Sequence, residues 1–193
     1  MLITDLDKHL NRGPVPKDYP SNRRTFYSPI DDVHGALVDV LASATRSVVL
    51  SMYGYDDDEL AGLIAKHLDN PGMYVQVSLD RSQAGGVHER VILAKFHAEM
   101  DSNNVAIGSS EKGAIAHRKM LIVDGIWTVT GSTNWSASGE QKQDNELTVT
   151  CDANVAAEAR HILDLSHSAM LTQMQARAAR GGTTTYHNGQ AKP

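Results

Sequence analysis

The chain has 193 residues, 41% hydrophobic and 21% charged, with 15 Gly, 6 Pro and a single Cys. This is an ordinary globular composition at a length that suits one domain, and it excludes collagen, coiled coil and disorder as overall classes. Mean hydropathy is -0.33, and no apolar run approaches the roughly 18 to 20 residues that a membrane span needs, so no such span is predicted.

The net charge of -5 is unevenly spread. Residues 31–70 hold eight acids against Arg46 and Lys66, a net of -6, which leaves +1 for the rest of the chain. Those acids fall where first turns of helices are expected, a capping role. Arg12, Lys17, Arg23, Arg24, Lys112, Arg118, Lys119, Arg177 and Arg180 lie elsewhere, so a polyanion could still meet a basic face. The opening MLITDLDKHLNRGPVP carries Asp5 and Asp7 where a leader would be basic, and it lacks a continuous apolar stretch. A cytoplasmic location is the expectation. Cys151 alone allows neither an intrachain disulfide nor a multi-cysteine metal site.

In chain order, residues 1–24 hold turn signals without periodicity and read as an irregular arm. Ser28-Pro29 reads as an N-cap and first helical residue, leading a helix with Val33, Leu37, Val40, Leu41 and Ala44 inward. Ser47 to Tyr53 is a buried strand. Asp56 with Glu59 opens a second helix, which Asn70-Pro71-Gly72 ends. Met73 to Leu79 is a strand, Val87 to Met100 a helix and Val105 to Ile107 a brief strand. The run from Ala114 to Val123, the pair Asp124-Gly125 and the run Ile126 to Thr130 form a hairpin. Leu147 to Cys151 is a last strand. A long helix follows over Val155 to Ala179, with Ile162, Leu163, Ala169, Met170 and Met174 inward, and 181–193 is a loose tail. The pattern predicts one α/β domain over 25–180, with a mixed, mainly parallel sheet covered by helices on both faces.

Chemistry gathers at the hairpin. His117 and Lys119 are two apart, so on a strand both leave one face. With Asp124 and Gly125 as the only turn residues, Val123 faces Ile126. Ser132 then lies opposite His117, Thr130 opposite Lys119, and Asn134 one diagonal step further on. An imidazole, a cation, a hydroxyl and an amide so placed suit a tetrahedral oxyanion.

The set His117-x-Lys119-x4-Asp124, then Gly131-Ser132-x-Asn134, with Asn145-Glu146 downstream, resembles the phospholipase D superfamily signature. Tyr27-Ser28-Pro29, Met52-Tyr53 and Asp80 are similar to the N-terminal half of that family, so the likeness runs over roughly residues 25 to 170. A short chain with one motif most resembles its small bacterial endonucleases, which act as dimers without a metal. The resemblance implies a phospholipase D-like fold and an endonuclease or other phosphodiesterase acting on DNA or RNA, with no cofactor and no membrane partner. In the mechanism it implies, His117 attacks phosphorus to give a phosphohistidine, and Lys119 and Asn134 hold the phosphoryl oxygens. Ser132 bonds a phosphate oxygen or a histidine, and Glu146 fixes an imidazole tautomer. Glu146 is preferred to Asp144 because it opens an apolar strand, and Asp124, at the turn, takes a structural role.

In-line displacement needs a nucleophile on one side and a proton donor on the other. Only His117 of the nine histidines has the His-x-Lys context, so the second imidazole comes from another copy and a homodimer is expected. His34, His67, His97 and His161 fall on helices without metal-ligand spacing and take ordinary roles, and His88-Glu89 has no second histidine four residues on. Met170 and Met174 read as core or dimer contacts. Trp135 either stacks on a base or packs beneath the hairpin. Two alternatives stand beside the nuclease: a phospholipase or phosphatidyl transferase, and a catalytically idle dimer that binds nucleic acid.

Overall fold

The structure is a computed structural model that describes residues 1–83 and 104–180. The helix expected over 87–100, with His88, Glu89 and His97, and the tail at 181–193 lie outside the described residues.

A seven-stranded sheet runs in the order β1-β7-β6-β5-β2-β3-β4. Its strands are β1 (Arg23–Ser28), β2 (Ser47–Met52), β3 (Tyr74–Asp80), β4 (Val105–Gly108), β5 (Lys119–Val123), β6 (Trp127–Gly131) and β7 (Asn145–Cys151). The helices are α1 (Val33–Ala42), α2 (Asp58–Leu68), the short α3 (Ala137–Gln141) and the 27-residue α4 (Ala153–Ala179). Single domain, mixed sheet and helices on both faces agree with the sequence. The parallel share is smaller than expected, because only β2, β3 and β4 pair parallel while the other four pairings are antiparallel.

Alternation along the strands sorts the two faces. Val48, Leu50, Val77, Leu121, Val129 and Val149 point to the face that α1 and α2 cover with Leu37, Leu41, Leu60 and Ile64, all of them buried. Val49 and Ile122 point to the other face, against Ala156 and Leu163 of α4. Met170 packs on Ala106 and Ala116, which makes it a core contact within the chain. Ile162, expected inward, is 42% exposed beside Leu165 at 51%.

The N-terminal segment departs most from the reading. Residues 3–9 form a 3-10 helix whose Leu6 is buried in the main core. His9 bonds Asp32 and Asp39, Arg12 pairs with Asp31, and Arg24 pairs with Asp7 at 2.5 Å. Ion pairs and the burial of Leu6 dock this segment, without apolar periodicity, so periodicity could not find it. It leads into the edge strand β1, which pairs with β7. Ser28 is therefore the end of a strand, with its hydroxyl between the Gly139 and Gln143 carbonyls at 3.0 and 2.8 Å. The N-cap of α1 is Asp32 and that of α2 is Asp57, each accepting from the amide three residues on.

The hairpin forms at Asp124-Gly125, both with positive φ (54° and 69°), but its ladder is shifted by one residue from the expected register. Val123 pairs with Trp127 and Met120 with Thr130, which leaves Ile126 as an extra loop residue. The Asp124 carboxylate holds the turn in this form. It accepts from the Thr45, Arg46 and Ser47 amides and from the Thr45 hydroxyl at 2.7 to 3.1 Å, and so fastens the turn to the start of β2.

Burial opposes ionisation of Asp124, but the bonds from Ser47, Thr45 and Arg46 outweigh it and hold the carboxyl below its ordinary 3.8. A lowered folded-state value gives stability that is complete above 3.8 and is lost as pH falls through the folded value. Asp124→Asn keeps a residue type that tolerates positive φ but gives up the charge. It is expected to unfold about 1 to 2 kcal/mol more easily than wild type at pH 7 in urea titrations. That gap closes as both proteins are acidified, and an equal gap at every pH would contradict the role given to the carboxylate.

Candidate active site

Asp80, at the end of β3 and 1% exposed, positions the segment ahead of β5. One of its oxygens accepts from the Ala116 amide at 2.5 Å and the other from the Ser82 amide at 2.8 Å. His117 follows immediately, in extended chain two residues before β5 begins. It is exposed, while Lys119 is only 8% exposed. Lys119 Nζ donates to His117 Nε2 at 2.9 Å and to the His117 carbonyl at 3.1 Å. Burial lowers the Lys119 pKa.

Lys119 pairs with Met52 across β2 and β5, which brings it to Tyr53. The Tyr53 ring lies 4.5 Å from the His117 ring, tilted by 58°, and 4.9 Å from Lys119 Nζ. Its hydroxyl accepts from Gln83 at 3.0 Å. The next residue, Gly54, donates its amide to Asn134 Oδ1 at 3.3 Å. Asn134 is therefore linked to the imidazole through Tyr53 and Gly54, and the family pairing of sequence positions had not singled out Tyr53 as a site residue. Its signal lay in the Met52-Tyr53 likeness and in its place at the end of an apolar strand.

Ser132 and Glu146 form a separate group. At Gly131 the end of β6 runs so close to the Glu146 carbonyl that a Cβ would collide with it, so glycine alone permits the approach. Ser132 donates to Asn145 Oδ1 at 2.9 Å and accepts the Glu146 amide at 3.1 Å. The one-residue shift of the hairpin ladder puts Ser132 beyond the last β5–β6 pair, so the expected pairings of Ser132 with His117 and of Thr130 with Lys119 do not form. Among the described residues the exposed Glu146 carboxylate makes no hydrogen bond with His117 of its own chain. Trp135 is 1% exposed and edge-on to Tyr55 at 5.2 Å, which places it beneath the site and removes it from base stacking.

His34, given an ordinary role by spacing alone, lies among three carboxylates. It bonds Glu140 at 2.7 Å and Glu59 at 3.0 Å, and it lies 3.2 Å from Asp57. Burial opposes its charge, yet the bonds to Glu59 and Glu140 and the charge of Asp57 raise its pKa to about 9. Burial pushes Glu140 up to about 7. His34, Asp57 and Glu140 are far apart in sequence, so spacing rules had no means of joining them.

Residues 37–167 match the family described as cardiolipin synthase, PLD-like domain. The chain belongs to this phospholipase D-like family. It is 25% identical over 149 residues to a phospholipase D of Rickettsia bellii, covering 77% of this chain and 69% of that protein. It is also 25% identical over 127 residues to a mitochondrial cardiolipin hydrolase of Chlamydomonas reinhardtii, covering 66% of this chain and 54% of that protein. The fold is similar to Nuc, a phospholipase D family member from Salmonella typhimurium, with a TM-score of 0.65 at 17% identity over 75% of this chain and 92% of that one.

The Tyr53 ring packs on His117 and faces the Lys119 cation, an arrangement worth about 1 kcal/mol. Tyr53→Ala is expected to cost stability of that order and to move the His117 ring-proton resonances, now shifted by the adjacent ring, toward unstructured positions. Tyr53→Phe should leave them near the wild-type positions. Resonances indifferent to loss of the ring would show that Tyr53 does not hold the imidazole.

Proposed function

We propose that the chain is a phosphodiesterase that hydrolyses nucleic-acid phosphodiester bonds through a phosphohistidine, in an active site shared by two copies of the chain. The contact between exposed His117 and buried Lys119 carries this reading, because it supplies a nucleophile and a cation at one point of the chain. No other His-x-Lys occurs in the sequence, so the second imidazole belongs to a second copy.

In the reaction, His117 Nε2 attacks phosphorus in line, and the bond from phosphorus to the leaving oxygen breaks. The partner subunit's His117 gives that oxygen its proton. A water deprotonated by the same partner imidazole then attacks phosphorus, and the phosphorus–nitrogen bond breaks. Lys119 and Asn134 hold the non-bridging oxygens as charge accumulates. Ser132 contacts a phosphate oxygen, and Glu146, which does not reach the imidazole of its own chain, orients that of the partner subunit.

Exposed Lys112 and Arg118 near His117 favour a polyanionic substrate. Exposed Ile115, Ile162 and Leu165 on the same side give a second copy apolar surface to cover. Lipid hydrolysis is the second reading, favoured by the names of the relatives from Rickettsia and Chlamydomonas.

Plasmid and single-stranded DNA are expected to be cleaved in EDTA, with His117→Ala at least about a thousandfold slower. The pH profile is expected to be bell-shaped, because the histidine pair shares one proton. Subunits exchanged between equal amounts of wild type and His117→Ala should retain about one quarter of full activity; self-sufficient sites would retain about half. Release of choline or phosphatidic acid from vesicles without nucleic-acid cleavage would transfer the assignment to lipid. Salt-sensitive DNA binding without turnover would identify an idle binding dimer.

A further inference from the structure

Three separate elements meet in one cluster: His34 in the first turn of α1, Asp57 capping α2, and Glu140 in α3. Glu59, on the outer side, accepts from His34 Nε2 at 3.0 Å. That bond makes Nε2 a donor to Glu59 and turns Nδ1 inward, the way a carboxylate orients a metal-bound histidine. Nδ1 lies 2.7 Å from Glu140 Oε2 and 3.2 Å from Asp57 Oδ2. The available donor atoms of the three residues all lie within 4.8 Å of one another. One N–H cannot satisfy both carboxylates. Glu140, moreover, is 2% exposed, and its Oε1 has no hydrogen-bond partner among the described residues. A buried carboxylate oxygen with nothing to accept from is costly unless a cation compensates it.

We propose that His34 Nδ1, Asp57 Oδ2 and the Glu140 carboxylate bind one divalent transition-metal ion of the zinc class. One nitrogen and two carboxylates, with a position open to water, suit such an ion. Bonds of about 2.1 Å in a tetrahedron give donor-to-donor edges of roughly 3.4 Å, so the two edges at Nδ1 need to open, slightly to Asp57 and more to Glu140, while donors lying anywhere up to 4.8 Å apart draw together. Asp57 Oδ1 already caps α2 through the Leu60 amide at 2.7 Å, which fixes the residue and leaves Oδ2 free to ligate. The side chains of His34 and Asp57 are 24% and 12% exposed, which gives the ion an entry path. Binding replaces any Nδ1 proton, which passes to solvent, and the two carboxylates balance the dication. The ion ties α1, α2 and α3 together behind the loop that carries Asn134. It braces the candidate active site and takes no part in the reaction proposed for it.

Zinc chloride titrated into metal-stripped protein in a calorimeter tests this. One ion per chain is expected, with a melting temperature raised by about 5 to 10 °C at a hundredfold excess over Kd. Glu140→Gln and His34→Gln should each weaken binding at least a hundredfold, and Glu59→Gln, at an exposed position, roughly tenfold to a hundredfold. His117→Ala should bind zinc as wild type does, which separates this site from the candidate active site. Circular dichroism of the metal-free variants establishes that each is folded, and Glu59→Gln carries the test if Glu140→Gln is not. Folded wild type that takes up no zinc saturably, or that binds it equally well after the substitutions, overturns the proposal.

Discussion

The site depends on where β5 sits between β2 and β6. A strand displaced by one residue sends every side chain to the opposite face, so the register of β5 decides whether Lys119 meets Tyr53 at all. Two local devices fix it. The Asp124 carboxylate binds the turn to the first residues of β2, and Asp80 holds the Ala116 amide at the other end. Between these anchors the β2–β5 pairing runs from Val48–Val123 to Met52–Lys119. The imidazole, the ammonium and the tyrosine ring meet as a consequence of those pairings, without any long loop to position them.

Asp124 also shows why an acid belonging to a catalytic signature need not take part in the chemistry. It lies seven residues from His117, at the far end of the strand, with its oxygens occupied by backbone amides of 45–47. The same logic applies to the acid-rich stretch over residues 31–70. Asp32 and Asp57 cap helices, Asp31 holds Arg12, and Asp39 holds Lys8 and His9. Much of that negative charge is therefore engaged inside the chain. Two of the cations that the sequence offered to a polyanion, Arg12 and Arg24, are engaged as well, while Lys112 and Arg118 stay exposed near His117. Net charge thus says little about the field a substrate meets at this surface.

What was legible in the sequence followed from local rules. Alternation and helical spacing located the strands and the long helices, and Asp124-Gly125 located the hairpin. The His-x-Lys and Gly-Ser-x-Asn elements located most of the candidate site. The parts that stayed hidden depend on distant partners. The edge strand β1 is defined by pairing with β7, more than a hundred residues away, and no periodicity in Arg23–Ser28 announces it. The hairpin register turned on a carboxylate contacting a different strand, so turn chemistry alone placed Ile126 one position wrong. Tyr53, and the meeting of His34 with Asp57 and Glu140, are likewise products of the fold.

Among the described residues, a single chain arranges its site in two groups with no hydrogen bond between them. In one, Tyr53 and Lys119 surround the His117 imidazole; in the other, Ser132, Asn145 and the Glu146 peptide bond one another. The Lys119 ammonium, its charge disfavoured by burial, is directed at His117 Nε2, the atom that the proposed reaction uses as nucleophile. An arriving phosphate offers that ammonium a charged acceptor stronger than a ring nitrogen. On this reading the substrate draws Lys119 away and bares the lone pair only when phosphorus is within reach. The anion that needs stabilising is then also what activates the nucleophile.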